Sequence, residues 1–268
     1  MSLDDVAFLP PDAAEVIARF LQRADVLLPG RIEGYYLAGS LALDDYQPGQ
    51  SDVDFVAVTT SPLQPTELDL LRELHATLHA RRAKPGLDGV YVTWQHLAHD
   101  PAPLSAPYHN DGRFGANGGF AANIVTWHTL HQSCVAVRGS TVPDIWRNDA
   151  VLRDWCRANL RSYWAGWVHA ARQRPIQKLY GLTRTAVIWG VLGVTRLHAT
   201  ILRGDILSKS AAGEYALETF PPQWAPIVRE ALAIRHGDRA GHFANPWARR
   251  QAMLAYMDFV MADAQGEG

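Results

Sequence analysis

The chain has 268 residues, 48% hydrophobic and 19% charged, enough for one large domain or two ordinary ones and too apolar for a disordered protein. Its formal net charge of -2 argues against a nucleic-acid backbone as the main partner, since such proteins usually carry a basic excess. Two cysteines, Cys134 and Cys156, give neither a disulfide framework nor zinc-ligand spacing and read as buried reduced thiols.

The opening residues Met1-Ser2-Leu3-Asp4-Asp5 show no basic region leading into an apolar core, so the expectation is a cytoplasmic protein without a signal peptide. Asp12, with Glu15 three residues on, resembles a capping box, and Val16, Ile17, Phe20 and Leu21 recur at helical spacing, predicting a helix to about Leu27 that stops at Pro29-Gly30. Tyr35 to Ala38 reads as a short strand ending in a Gly39-Ser40 turn. A second strand over 53–59 puts Val53, Phe55 and Ala57 on one face and Asp54, Val56 and Val58 on the other. Pro65-Thr66 opens a helix to about Ala80, and Leu87 to Trp94 is a third strand, rich in Val, Tyr and Thr.

From about His99 to Gly119 the chain is dense in Pro, Gly, Asn and Asp and is expected to be a long loop, of the kind that is usually functional. Ile124 to Leu130 and Val135 to Arg138 form a strand pair, or a strand and a short helix. Beyond Pro143 helical patterns take over: Trp155 to Ala171, Ile176 to Leu202, Ser210 to Thr219, Pro222 to Arg235 and Pro246 to Ala264. The expected fold is α+β: a head of strands and helices over 1–147, then an all-helical tail over 148–268. The apolar run Thr185 to Leu202 is interrupted by Arg196 and His198, so it reads as a buried helix and not as a membrane span.

The chemistry concentrates between Gly39 and Asp54. Asp52 and Asp54 lie two apart on a predicted strand and share a face. Two carboxylates side by side repel each other unless a cation lies between them, and magnesium suits that place because it takes oxygen ligands and keeps substrate phosphates as partners. Gly39 lets the backbone approach a phosphate, Ser40 offers a hydroxyl to a triphosphate, and Ser51 precedes the acidic pair. An Asp-Val-Asp run alone is often the solvent face of an edge strand. The preceding Gly-Ser at a strand end, and the rarity of Asp in strands, turn the balance towards a site.

Gly-Ser, about ten residues, then Ser-Asp-x-Asp resembles the signature of the DNA polymerase β-like nucleotidyltransferases. That resemblance implies a small mixed sheet with helices on one side and magnesium-dependent transfer of a nucleoside monophosphate. In the tail, a helix carrying Arg196 ends near Gly204, and Ser208 caps the next helix with Lys209 at its first position. A lysine at the positive end of a helix dipole is unfavourable without an anion nearby, and a triphosphate would be one. This stretch, with Phe220-Pro221-Pro222-Gln223-Trp224 after it, is similar to the C-terminal domain of the streptomycin/spectinomycin adenylyltransferases.

That family pairs such a head with a helical tail and binds ATP and the antibiotic in the cleft between them. The resemblance implies that Asp52 and Asp54 hold Mg2+, that Gly39, Ser40 and Ser51 line the phosphates, and that Arg196 and Lys209 reach ATP from the tail. It implies a general base on the third strand. One alignment puts Asp88 there, one methylene shorter than the family's glutamate, with Gly89 able to support a bulge; another puts Tyr91 there. Leu182, Ala186 and Trp189 replace the acidic or polar groups that the family's helix offers to a cationic drug.

The tidy pair His75 and His79 reads as a solvated helix face, and the tail tryptophans as core. Trp127 and His128 are candidates to face the cleft, and Asp44 and Asp45 are expected to be exposed and able to attract a cationic substrate. The expected activity is AMP transfer from ATP to a hydroxyl of a small molecule, aminoglycoside-like by family default, with no role for nucleic acid or membrane. Two rival readings stay open: transfer to a protein or tRNA, and a catalytically weak binding relative.

Overall fold

The computed structural model describes residues 6–81, 84–118, 122–238 and 241–266. It divides into two compact units, Met1–Arg147 and Asn148–Gly268.

The first unit runs α1 (Pro11–Leu27), β1 (Ile32–Leu37), α2 (Gly39–Ala42), β2 (Val53–Thr59), α3 (Pro65–Arg81), β3 (Leu87–Thr93), α4 (Trp94–Leu97), β4 (Ala106–Asn110), β5 (Arg113–Gly118), α5 (Ile124–Gln132) and β6 (Val135–Arg138). The strands form one sheet in the order β5-β4-β3-β2-β1-β6, with β2 and β3 parallel and the other pairs antiparallel. The parallel pair needs a crossover, and α3 supplies it.

Strand alternation sorts the apolar side chains as expected. Val53, Phe55, Ala57 and Tyr91 join α1 and α3 in one core through Ile17, Phe20, Leu21, Leu71 and Leu74. Val56, Val58, Val90 and Val92 join Leu97, Trp127 and Leu130 in a second core on the opposite face. Helices therefore cover both faces of the sheet and not one. Trp127 and His128 belong to the fully helical α5 and are buried, so neither faces an open cleft.

Three local expectations fail for identifiable reasons. Helix α1 begins at Pro11 behind Pro10, without a side-chain cap. Pro11 arrives with φ preset and no N–H to satisfy, so Asp12 is free to accept from the Ala13 N–H and the Tyr46 hydroxyl instead. The segment from 99 to 119 is not a loop throughout: β4 and β5 make a hairpin whose turn holds Asp111 at φ 48° and Gly112 at φ 74°. An Asp-Gly pair with both residues at positive φ is a strong hairpin signal, hidden here by Pro101, Pro103 and Pro107 and by weak alternation. Gly119 itself lies outside the described residues. His75 is buried rather than solvated, with its Nε2 2.6 Å from the Tyr91 hydroxyl.

The second unit is helical. A continuous helical rod comprises α6 (Asp149–Asn159), a π-helical turn at Leu160–Trp164, and α7 (Ala165–Gln173). Then come α8 (Pro175–Tyr180) and α9 (Arg184–Val187), which passes through a π-helical turn at Ile188–Leu192 into α10 (Gly193–Arg203). The unit closes with α11 (Lys209–Thr219), α12 (Ala225–Arg235) and α13 (Pro246–Asp263).

The single helix expected over 176–202 is thus split at Gly181-Leu182-Thr183, where the Thr183 hydroxyl caps α9. The stretch Arg184–Arg203 is long and apolar enough to cross a membrane by length and composition. It lies instead in the middle of the helical unit, with Ala186, Val187, Val191, Leu192, Val194, Thr195 and His198 fully buried. Cys156 is buried, while Cys134 is only half-buried, and both are free thiols. Of the tail tryptophans only Trp164 is buried; Trp155, Trp189 and Trp247 are exposed.

Candidate active site

Positions 52 and 54 flank Val53, whose side chain enters the α1/α3 core, so both carboxylates point away from that core. Asp54 is the second residue of β2, and Asp52 lies just before the strand. The β2–β3 ladder pairs Val53 with Leu87 and runs without a shift to Thr59 with Thr93, which sets Asp54 directly beside Asp88 on the same face. Tyr91 points to the opposite face, fully buried, with its hydroxyl on His75. Of the two candidate bases, only Asp88 stands with the acidic pair.

No bulge re-aims Asp88. Gly89 serves a different end: a Cβ there would lie 2.6 Å from the Phe55 ring and 2.2 Å from the Phe55 carbonyl, so only glycine lets that ring cross β3. Gly39, at φ 55°, opens α2, and a Cβ on it would fall 1.9 Å from Asp54 Oδ2. The glycine therefore makes room for the Asp54 carboxylate and takes up a backbone conformation that other residues resist. The Ala38 N–H also donates to the Asp54 carbonyl at 2.9 Å, locking the Gly-Ser turn onto the acidic strand.

Asp88 is mostly buried, its side chain 19% exposed, and its Oδ1 accepts from the Asp111 N–H at 2.9 Å. The hairpin missed in the sequence thus supplies a backbone donor to the candidate base. His109, buried on β4, donates Nδ1–H to the Leu87 carbonyl and lies 3.7 Å from Asp88 Oδ1. Burial pushes the Asp88 carboxyl up to about 6; the Asp111 N–H opposes that rise, the Asp52 charge adds to it, and Lys84 opposes it.

Asp52 is held by the Gly86 N–H at 2.7 Å and by the Lys84 ammonium, at 2.8 Å from Oδ1 and 2.6 Å from Oδ2. Nothing in the sequence pattern pointed to Lys84, 32 positions away, since the strand pairing alone brings it across. Ser51 is buried, and its hydroxyl accepts from the Gln47 N–H at 3.0 Å, closing the turn before the acidic pair. Ser40 is half-buried beside Gly39. Asp45 is buried and partnered, contrary to expectation, while Asp44 is exposed at φ 51°.

The donor set fits a hard divalent cation. It is all oxygen, and a positive group already sits on Asp52. Among the described residues no three His, Cys, Asp or Glu converge on one point. A protein that supplies only one or two carboxylates and leaves the rest to phosphates and water suits magnesium.

In the helical unit Gly204 ends α10 at φ 84°, and the Ser208 hydroxyl accepts from the Ala211 N–H, so Lys209 opens α11 as the sequence predicts. Arg196 Nε donates to the Leu207 carbonyl at 2.7 Å, bracing the connection that presents Lys209. Ala186 is fully buried, Leu182 half-buried, and Trp189 lies with its ring centroid 5.5 Å from that of Trp164. From Trp155 to Gly204 there is no Asp or Glu, against eight Arg and Lys, so this stretch offers no carboxylate to a cationic ligand.

A mixed sheet carrying the acidic pair, followed in sequence by a helical unit, is the arrangement that the sequence resemblance implies. Residues 161–261 match the family model for the aminoglycoside adenylyltransferase C-terminal domain. Among solved structures the chain is similar to spectinomycin adenyltransferase AAD(9) from Enterococcus faecialis, determined with ATP and spectinomycin. The two share 14% identity over 91% of this chain and 98% of that one, with a TM-score of 0.67. No curated protein sequence matches the chain. The family resemblance read from the sequence is borne out, and the comparisons support a nucleotidyltransferase enzyme.

Proposed function

We propose that this protein transfers AMP from ATP to a hydroxyl of an aminoglycoside or aminocyclitol. The observation that carries the reading is the in-register pair Asp54 and Asp88, with Gly39 shaped around the Asp54 carboxylate. The match of the tail to the aminoglycoside adenylyltransferase domain supports the donor and the acceptor class.

In this reading Asp52 and Asp54 would hold Mg2+, which when bound polarises the α-phosphoryl group and offsets charge on the phosphates. Asp88 takes the proton of the acceptor hydroxyl. The acceptor oxygen forms its bond to the α-phosphorus as the bond to the bridging oxygen breaks, and pyrophosphate leaves. Asp88 suits a base: its raised pKa lies close to working pH, so it binds a proton readily yet is ionised above about 6. The Asp111 N–H and the flat β2–β3 register keep that carboxylate aimed.

Gly39 and Ser40 are proposed to line the phosphates on the strength of the resemblance, and Ser51 closes the turn before Asp52. Arg196 and Lys209 are proposed as ATP contacts from the helical unit on the strength of the resemblance. Asp44, exposed in the head, can attract a cationic acceptor. We place the activity in the cytoplasm.

Incubation with ATP labelled at the α-phosphate tests the acceptor class. Offered separately a pool of aminoglycosides and aminocyclitols, a total protein extract and tRNA, the enzyme is expected to label only the first. Label in protein or tRNA would replace this reading, and ATP binding without any transfer would make the chain a binding relative.

A further inference from the structure

Lys84 is one of three lysines in the chain and stands immediately before Pro85, in the approach to β3. Its ammonium contacts both oxygens of Asp52, at 2.8 and 2.6 Å, while its side chain stays 56% exposed. The Asp52 side chain is 27% exposed and its Oδ1 is also fixed by the Gly86 N–H. The carboxylate is therefore anchored by backbone, while the cation on it arrives at the end of a long, solvated stem. An ammonium so placed is a monovalent stand-in at the carboxylate where the proposed reaction needs a divalent cation.

We propose that Lys84 is a charge-exchange residue, whose ammonium neutralises Asp52 until a divalent cation arrives with the nucleotide and then moves to the triphosphate. This rests on the nucleotidyltransferase reading of the site. The exchange is cheap in the first direction, because an exposed ion pair is worth little and a divalent ion attracts Asp52 more strongly than a lysine does. It is directed in the second, because an ammonium beside a bound cation is repelled unless an anion takes it up. Lysine is well matched to such a move, since its three donors turn freely on a four-carbon stem and serve a phosphate as a mobile point charge.

The signature is a pair of opposite effects. In Lys84→Gln the competitor for Asp52 is gone, so Mn2+ alone, titrated calorimetrically, should bind about two- to fivefold tighter than in the wild type. Mn2+ together with a non-hydrolysable ATP analogue should bind about tenfold more weakly, because a charged donor to the phosphates is lost. Lys84→Arg keeps the charge and should restore most of the nucleotide affinity.

The wild-type protein gives an independent readout. With its lysines carrying labelled methyl groups, the Lys84 signal should shift on adding Mg2+ and shift again on adding the analogue. Affinities that change in the same direction, or a Lys84 signal indifferent to both additions, would overturn the proposal. A wild-type chain that binds the metal–analogue pair normally while Lys84→Gln is unaltered sinks the role of Lys84 alone. A wild-type chain that binds no analogue sinks the nucleotidyltransferase reading with it.

Discussion

Asp54 and Asp88 stand opposite each other in the parallel β2–β3 ladder, on the same face of the sheet and with no register shift between them. Parallel pairing makes this arrangement rigid, since a one-residue slip would turn Asp88 into the α1/α3 core. Asp88→Asn keeps the shape and the acceptor for the Asp111 N–H but removes the proposed base. Turnover should fall on the order of 10²–10⁴-fold with nucleotide binding little changed, as single-turnover kinetics and calorimetry would show.

The raised Asp88 pKa has a sign that can be checked twice. Below about 6 the carboxyl is protonated and cannot serve as the proposed base, so kcat/KM should rise with pH to a plateau, with its inflection at or below about 6. The folded-state pKa lies above the ordinary value of 3.8, so the contribution of Asp88 to stability is full at low pH and is lost as pH rises through about 6. In metal-free buffer at pH 8, Asp88→Asn should therefore be more stable than the wild type, by about 1–3 kcal/mol in urea unfolding. A less stable variant would contradict the burial account.

Gly39→Ala should leave the fold and disable the site. A Cβ 1.9 Å from Asp54 Oδ2 forces either the carboxylate or the turn to move, and the positive φ adds strain. Displacing a reacting group by about 1 Å costs on the order of a hundredfold, so kcat should drop at least that far while the circular dichroism spectrum is kept.

Tyr91→Phe separates the two candidate bases. It deletes the hydroxyl that meets His75 Nε2 at 2.6 Å in a buried pair, leaving the imidazole unsatisfied. Stability should fall by about 1–3 kcal/mol, and kcat should stay within a few-fold of the wild type. A collapse of kcat at intact stability would return the base to Tyr91.

In the helical unit Glu230 is fully buried and accepts from Arg249 Nη1 at 3.2 Å, while Arg249 Nη2 donates to the Leu182 carbonyl at 2.7 Å, in the turn before α9. Glu230→Ala strands a buried guanidinium. The expected loss is about 3–5 kcal/mol, read as a shift in the denaturant midpoint.

How much of this was legible in the sequence follows from the kind of interaction involved. Local signals read well: Pro65 opening α3, the period-two pattern of β2, the Gly204 and Ser208 caps around Lys209. Interactions fixed by strand pairing did not. The contact of Lys84 with Asp52 and that of the Asp111 N–H with Asp88 span 32 and 23 positions, and no local pattern encodes them. The choice between Asp88 and Tyr91 also needed the ladder, because both lie on one strand and only the register says which faces Asp54. Burial of His75 was missed because Phe20, Phe55, Tyr91 and His109, distant in sequence, pack against it.

The most direct test of the proposed activity is mass spectrometry of a spectinomycin and streptomycin panel after incubation with ATP and magnesium. Wild-type enzyme should add one AMP to at least one acceptor, and Asp54→Asn should abolish the adduct. An unmodified panel, or an adduct formed equally well by Asp54→Asn, would contradict the assignment of this site to AMP transfer.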